Sequence, residues 1–347
     1  MTKEQVLKQI KLFDENYQTL FSNIDDLDKK YFIGKDKNRV CRFCKKDETK
    51  TTFKNVSHAI PEALGNKTII CLDECDECNK RFSETIEDDL DKVTLPFRTI
   101  NFIKGKKKIP TYRSLDKKTR LEAVNGEKKE LKLEYKKDAS SFEFNEKNKT
   151  AKFIYKQQAH IPANAYKTLV KMALSIMPEE ELKLFDIARQ WVYEKDSSKV
   201  LMKPLNVYMT FVPGINVYKK TTTFLFYKYS KNTKYLDCLF ILCFGNIMYQ
   251  IAIPSDKEVF FKEQEKSILK FPTPFEIYSP LGKPIFSILD WSEHEIVRDT
   301  ERFIDFGFNG MTQIVEDGKI INSDILENYP DFKNELNKFT NINLGNS

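Results

Sequence analysis

The sequence predicts an α+β protein in which a small cysteine-bound module is followed by a larger α+β domain with an antiparallel sheet. Two Cys-x-x-Cys pairs, separated by 30 residues, lie within the first hundred residues. Further along the chain, two helical segments precede four apolar, strand-like segments. The last two strands flank Gly245-Asn246, a dipeptide that favours a two-residue hairpin turn. Helices followed by a run of strands indicate an α+β domain.

Composition narrows the class of protein. The chain has 347 residues, of which 41% are hydrophobic and 13% aromatic, enough to fill cores and to exclude a wholly disordered chain. The low counts of 11 Gly and 13 Pro exclude collagen-like and mucin-like classes. A net charge of +6 does not by itself imply a nucleic-acid partner. Because no long apolar run and no apolar leader are seen, we expect a cytoplasmic protein without a membrane partner.

Four of the seven cysteines form the two pairs: Cys41, Cys44, Cys75 and Cys78. Four thiolates can occupy all four tetrahedral positions of Zn²⁺, which gives a closed, structural site. A single pair could be a redox motif, but two pairs in one short segment favour zinc. Cys71 lies in an apolar run and is expected to be a buried strand residue.

The elements of the N-terminal part follow from hydrophobic spacing. Residues 1–37 form a predicted helical segment, with helical periodicity to about residue 30. The module, residues 38–95, should contain strands at 51–60 and 68–72 and a helix from Cys78 to about Val93. The cysteines then join the two ends of a strand–loop–strand–helix unit.

Residues 96–157 form a separate, basic segment. Between Pro96 and Phe153 there are 17 Lys and Arg against 8 Asp and Glu, and alternating residues predict strands at 131–135, 141–144 and 151–155. A tight lysine cluster opens the segment and is the best candidate for phosphate contacts, with a solvated loop as the alternative. Its members are Lys104, Lys106, Lys107 and Lys108. Helices at 165–177 and 179–192 and strands at 206–212, 221–227, 238–244 and 247–253 follow in residues 158–330, before a polar tail at 331–347.

Three polar residues of the module could act together. His58 lies at the end of the first strand, Asn79 at the start of the helix, and Glu87 a little over two turns later. An imidazole that is neutral near pH 7 suits proton removal from water. Carboxylate oxygens suit Mg²⁺ or Mn²⁺. Each residue also has a purely structural interpretation, as a strand-end histidine, a helix cap and part of a solvated acidic face.

Residues 38–95 resemble an HNH endonuclease of the ββα-metal type. The resemblance rests on the two Cys-x-x-Cys pairs, on His58-Ala59-Ile60-Pro61 followed by Leu64-Gly65-Asn66, and on Cys75-x-x-Cys78-Asn79 followed by Ile86-Glu87. Together these motifs are specific, although each alone would be weak. They cover about a sixth of the chain.

The resemblance implies hydrolysis of phosphodiester bonds with one divalent ion, Mg²⁺ or Mn²⁺, beside the structural zinc. His58 would deprotonate the attacking water, and Asn79 would orient His58, or the loop that holds it, by hydrogen bonding. Glu87 would bind the metal, and the products would carry a 5′ phosphate. One position departs from the family pattern, because Ser57 stands where an acidic or histidine ligand is common. A hydroxyl is a poor ligand, so Ser57 is a tentative one, and Glu62 and Glu84 are local carboxylates that could help.

For partners, we expect double-stranded DNA as substrate and an activating ligand or partner at the C-terminal domain. That domain would serve sensing, specificity or dimerisation, and a homodimer is expected because many nucleases with one site per subunit cut both strands as dimers. The layout resembles that of bacterial antiphage and restriction effectors, an argument by analogy only. The alternatives are a non-catalytic zinc module that binds nucleic acid and a zinc-bound scaffold without a nucleic-acid role.

Overall fold

The structure is a computed structural model that describes residues 2–125, 129–136, 142–145, 150–194, 201–232, 234–259, 268–277, 282–298, 300–307, 314–316 and 319–322. The chain divides into two compact units. The larger unit contains residues 1–112, 121–132 and 156–301, and the smaller one contains residues 113–120, 133–155 and 302–347. The Cys-x-x-Cys module and most of the predicted C-terminal domain therefore belong to one unit.

In chain order the helices are α1 (Lys3–Asp14), α2 (Asp76–Glu84), α3 (Ile86–Ile100), α4 (Pro162–Ile176), α5 (Glu179–Leu182), α6 (Asp186–Tyr193) and α7 (Asp256–Val259). The strands are β1 (Tyr17–Ser22), β2 (Tyr31–Ile33), β3 (Ser57–His58), β4 (Ile69–Cys71), β5 (Tyr112–Arg113), β6 (Thr119–Asn125), β7 (Lys129–Tyr135), β8 (Phe142–Asn145), β9 (Thr150–Lys156), β10 (Asn206–Phe211), β11 (Tyr218–Lys228), β12 (Cys238–Gly245), β13 (Ile247–Ile253), β14 (Ile285–Asp290), β15 (Glu301–Gly307), β16 (Ile314–Glu316) and β17 (Lys319–Asn322). The α+β class is confirmed.

A six-stranded sheet forms the centre of the larger unit, in the order β1-β11-β12-β13-β10-β14 with antiparallel pairing throughout. The predicted hairpin is present, because β12 and β13 pair on either side of Gly245-Asn246. Both strands are buried along their whole length. Continuous apolar sequence suits a strand that is covered on both faces.

The prediction of one long N-terminal helix is wrong in its second half. Helix α1 ends at Asp14, and residues 17–22 form β1, the edge strand that pairs with β11. Aromatic residues and threonine favour strands, and the apolar residues here fit either a helical or a strand spacing. Pairing with the long strand β11 stabilises the strand. The prediction treated Tyr17, Leu20 and Phe21 as one helical face.

The module combines a small sheet, in the order β2-β4-β3, with helices α2 and α3. The predicted strand at 51–60 is shorter in the structure, because Thr52, Lys54 and Asn55 donate hydrogen bonds to the Asp76 carboxylate instead of pairing with a neighbouring strand. The predicted single helix is two helices that break at Thr85, whose backbone leaves the helical region. The Thr85 hydroxyl donates to the Arg81 carbonyl at 2.7 Å and satisfies the end of α2.

Helix α4 is the central helix of the larger unit and is buried on all sides. It packs against α3, α6 and β12. Apolar side chains such as Leu169, Val170 and Met172 are fully buried, and each contributes about 1.5–3 kcal/mol on transfer from water. Two lysines, Lys167 and Lys171, lie at buried positions of the same helix.

The remaining strands form two smaller sheets, in the orders β15-β9-β8 and β17-β16-β7-β6-β5. Strands β7, β8 and β9 fall where alternation predicted them, and exposed Lys132 and Glu134 alternate with half-buried neighbours in β7. The turn predicted at 145–148, apart from Asn145, and the tail at 331–347 lie outside the described residues. Every helix in the described ranges is too short or too polar to cross a membrane.

Candidate functional site

The four paired cysteines meet in one cluster. The Sγ atoms of Cys41, Cys44, Cys75 and Cys78 all lie within 4.8 Å of one another, and Cys44 and Cys75 are 3.7 Å apart. A zinc tetrahedron with bonds of about 2.3 Å has edges of about 3.8 Å. The cluster therefore has the donor atoms and the size for a zinc ion.

Local backbone structure presents the sulfur atoms. The first pair lies in a tight turn, in which the Cys41 amide donates to the Lys46 carbonyl and the Lys45 amide donates back to Cys41. Cys75 is the residue immediately before α2, so the second pair opens that helix. Cys71 is buried in β4 outside the cluster, and its thiol lies 3.2 Å from Asp73, as expected for a strand residue.

His58 is the second residue of β3, which pairs with β4 through Ser57–Cys71 and His58–Ile70. Its Nε2 faces Glu62 at 3.8 Å, too long for a hydrogen bond. Its Nδ1 is buried without a hydrogen-bond partner among the described residues. Partial burial lowers the pKa of His58 below its ordinary value of 6.5, and this outweighs the opposing effect of Glu62. The imidazole is therefore neutral and available to accept a proton at neutral pH.

The loop after His58 is fixed by Asn66. The Asn66 amide nitrogen donates to the Ile60 and Ile69 carbonyls, and its oxygen accepts from the Thr68 and Ile69 amides. The residue before it, Gly65, has φ +89°, a left-handed conformation that favours glycine. The sequence Leu64-Gly65-Asn66 thus closes the loop that holds the end of β3 in place.

Two carboxylates lie close together beside this strand. Glu74 precedes the second cysteine pair and is fully buried, and Glu87 lies in the first turn of α3. Both face the ammonium group of Lys171, whose Nζ lies 3.0 Å from Glu74 Oε2 and 3.1 Å from Glu87 Oε1. Burial raises the pKa of Glu74, Lys171 opposes this, and Glu87 adds to it.

Apart from the ion pairs with Lys171, the polar atoms around the carboxylates have few partners among the described residues. Both Glu74 oxygens and Ser57 Oγ are buried without a well-aligned hydrogen bond in the part of the chain that the structure describes. Such orphaned groups are costly, and they mark sites where a ligand or an ion completes the environment. Hard oxygen donors suit a divalent cation such as Mg²⁺ or Mn²⁺. Glu74, Glu87 and Ser57 therefore offer oxygen donors of the kind that such a cation uses, and the Lys171 ammonium is already paired with both carboxylates.

The comparison with known families agrees with this geometry. Residues 41–95 match the family model described as HNH endonuclease. The match begins at the first cysteine and ends within α3. No curated protein and no solved structure matches the chain. The match supports a module that acts on nucleic acid.

The predicted lysine cluster flanks the HNH module. Lys104, Lys106, Lys107 and Lys108 are exposed in the loop after α3. Gly105 is buried between them, against the backbone of Glu62 and Ala63, where a Cβ would just touch Ala63 at 3.4 Å. This close approach brings the loop to the residues that follow His58, and the charge of Lys106 lowers the His58 pKa further.

Other predicted residues of the HNH module have different positions. Asn79 is half-buried in the first turn of α2, and His58 Nδ1 has no hydrogen bond to it or to any other described residue. Its role in orienting His58, or the loop that holds it, stays a prediction. Glu84 pairs at 4.0 Å with Lys80 on an exposed surface. Within the acidic run, Asp89 has a structural role, because it accepts from the Ile161 amide and the Asn164 side chain and so caps α4.

An open pocket of about 280 Å³ reaches one side of Glu87. Residues after His58, including Pro61 and Leu64, line one wall, and residues of α3 line the other. Glu87 is thus accessible from solvent, whereas Glu74 and Lys171 lie behind it. A ligand can approach Glu87 from this side.

Sequence reasoning missed Glu74 and Lys171. Glu74 directly precedes Cys75, and its position next to a metal ligand was a local signal that could have drawn attention to it. Lys171 is one polar residue in an apolar helix nearly 100 residues from Glu74 in sequence. Only the packing of α4 on α3 reveals its role, and no local pattern could have found it.

Proposed function

We propose that the chain is a metal-dependent endonuclease whose HNH module hydrolyses phosphodiester bonds in DNA, with His58 as the general base. The observation that carries this proposal is the state of His58. It is held at a fixed strand end, burial keeps it neutral, and its Nδ1 has no partner among the described residues. A structural histidine in the same place would be expected to use that nitrogen in a hydrogen bond.

The residues around His58 would divide the remaining work. His58 would take the proton of the attacking water while the bond from phosphorus to the 3′ oxygen breaks, which leaves a 5′ phosphate. Glu74 and Glu87 would hold the divalent ion, Mg²⁺ or Mn²⁺, with Ser57 beside them. When bound, such an ion supplies positive charge that stabilises the transition state and the leaving oxygen.

The lysine loop would position the DNA. Its four exposed lysines lie next to the residues that follow His58, and lysines at such positions contact phosphates without reading sequence. Double-stranded DNA is the substrate that we propose. The zinc cluster would hold the module together and take no part in the reaction, because four protein ligands leave no open position.

Cleavage of supercoiled plasmid with Mg²⁺, Mn²⁺ or EDTA tests the proposal. We expect metal-dependent nicking by the wild-type protein and by His294→Ala, a matched control outside residues 41–95, and none by His58→Ala. Equal residual cutting by all three proteins would show that the activity is contamination.

A second candidate is a zinc module that binds nucleic acid without cutting it. The ammonium of Lys171 favours it, because this group already neutralises part of the charge of Glu74 and Glu87. This candidate predicts that DNA binding weakens with salt and is the same in wild type and His58→Ala. It also predicts no cleavage with Mg²⁺ or Mn²⁺.

We also propose that the rest of the chain regulates the nuclease, as an antiphage or restriction effector would require. Support comes from α4, which lies outside the family match and contacts the module at both of its ends. A survival assay of cells challenged with phage, with wild-type protein and His58→Ala, tests this role. Equal plaque counts with both proteins would argue against it.

A further inference from the structure

Lys171 enters the carboxylate pair from outside the HNH module. It lies on α4, more than 70 residues beyond the family match, and its side chain is 1% exposed. Its ammonium lies within 3.1 Å of an oxygen of each carboxylate. Because this ammonium is ion-paired with both carboxylates, the site contains a positive charge of its own.

Contacts at both ends of α4 hold this lysine in place. At the N-terminus, Asp89 of α3 accepts hydrogen bonds from the Ile161 amide and from Asn164. At the C-terminus, Arg42 from the first cysteine pair donates to the Leu174 and Met177 carbonyls. A helix fixed at both ends by the module keeps its central side chain at one position in the module.

The position of the ammonium matters because a cation bound by both carboxylates needs the same space. Two positive charges a few ångström apart repel strongly in a buried site. Two carboxylates and one ammonium leave a single net negative charge, which attracts a divalent ion less than two free carboxylates would.

We propose that Lys171 is a positioning residue that acts as a resident cation and sets the affinity of Glu74 and Glu87 for the divalent metal. This inference rests on the proposed function, because that function assigns the metal to these two carboxylates. Under this proposal, metal binding by the HNH module depends on helix α4, which lies outside the family match. Any change in the chain that withdraws Lys171 would strengthen metal binding.

Binding of Mn²⁺ to full-length, zinc-loaded protein tests the inference without any cleavage measurement. The titration is followed by electron paramagnetic resonance or calorimetry in a His58→Ala background, without DNA. We expect Lys171→Met to bind Mn²⁺ at least about tenfold more tightly than the parent, because two uncompensated carboxylates face the ion. Lys171→Arg keeps the charge and should stay within about threefold of the parent.

A second pair of variants covers a failure of Lys171→Met to fold. Glu74→Gln and Glu74→Gln/Lys171→Met differ only in the ammonium, and the double variant buries no additional unpaired carboxylate beyond Glu87. We expect the double variant to bind Mn²⁺ more tightly and to show a larger rise in melting temperature with Mn²⁺. Equal or weaker binding after removal of Lys171, in either background, would overturn the inference.

The two proposals can fail separately. Tighter Mn²⁺ binding without Lys171, together with no DNA cleavage by the wild-type protein, would overturn the nuclease and leave the role of Lys171 intact. Cleavage that depends on His58, together with unchanged Mn²⁺ affinity in Lys171→Met, would do the reverse.

Discussion

Arg42 and Asp73 form a buried, bidentate ion pair, with Nε and Nη2 of the arginine 2.6 and 3.0 Å from the two carboxylate oxygens. Arg42 lies between the first two cysteines, and Asp73 lies two residues before the second pair. The same guanidinium donates to the end of α4 through Leu174 and Met177. One side chain thus connects the two halves of the zinc cluster to the central helix.

We expect Arg42→Lys to destabilise the protein by about 2–3 kcal/mol. A lysine keeps the charge but loses the fork geometry, so buried acceptors at Asp73 and at the end of α4 stay unpaired. Urea unfolding measures this loss. Lys46→Gln is the control, because it removes an exposed pair with Glu77 that should contribute little to stability. Equal effects of the two changes would contradict the role of Arg42.

The zinc cluster predicts a sharp difference between two cysteines. Cys78→Ser removes one of four ligands, so we expect loss of zinc and unfolding of the module, because binding of a structural metal is coupled to folding. Cys71→Ala removes a buried thiol outside the cluster and should retain one zinc ion per chain. Metal content by mass spectrometry, with thermal unfolding, checks both. Full zinc content in Cys78→Ser would contradict the assignment.

The acid side of the pH–rate profile should follow the charges around His58. Cleavage needs the neutral imidazole, so activity falls as the pH drops through the His58 pKa. In the metal-free protein this pKa lies below the ordinary value of 6.5 because the ring is partly buried. Glu62→Gln removes a charge that raises this pKa and should move the acid limb to lower pH. Lys106→Met removes a charge that lowers it and should move the limb to higher pH. Shifts in the same direction for both variants would contradict the assignment of His58 as the base.

The lysine loop should determine how DNA binding responds to salt. Replacement of all four loop lysines by glutamine should weaken binding and reduce the salt slope by about 0.9 for each lysine that contacts a phosphate. Lys8 and Lys11 are exposed on α1 and provide a matched control when they are replaced together. The slope comes from fluorescence anisotropy over a series of salt concentrations. An unchanged slope in the loop variant would show that the loop is only solvated.

Local patterns predicted much of this molecule. The cysteine spacing predicted a cluster that the structure contains, and the Gly245-Asn246 signal predicted the hairpin of the central sheet. These features depend on residues close in sequence. Residues 17–22 were mispredicted because their pairing with β11, some 200 residues away, outweighs the helical spacing.

Some residues of the site could likewise be predicted from local motifs, and others could not. His58 and Glu87 belong to short motifs, and the structure brings both to the neighbourhood of Lys171. Asn79 also belongs to a motif, and its part in holding His58 or the loop around it stays a prediction. Glu74 and Lys171 meet only through the packing of α4 on the module, so their relation depends on tertiary structure that spacing cannot reveal.

The central claim is that His58 removes a proton in DNA hydrolysis, and single-turnover cleavage tests it most directly. Rates for wild-type protein and His58→Ala are measured with saturating Mg²⁺ or Mn²⁺, beside the DNA affinity of each protein. The account predicts a loss of about 10²–10⁴-fold in rate with unchanged DNA affinity. Equal rates, or a loss of rate explained entirely by weaker DNA binding, would contradict it.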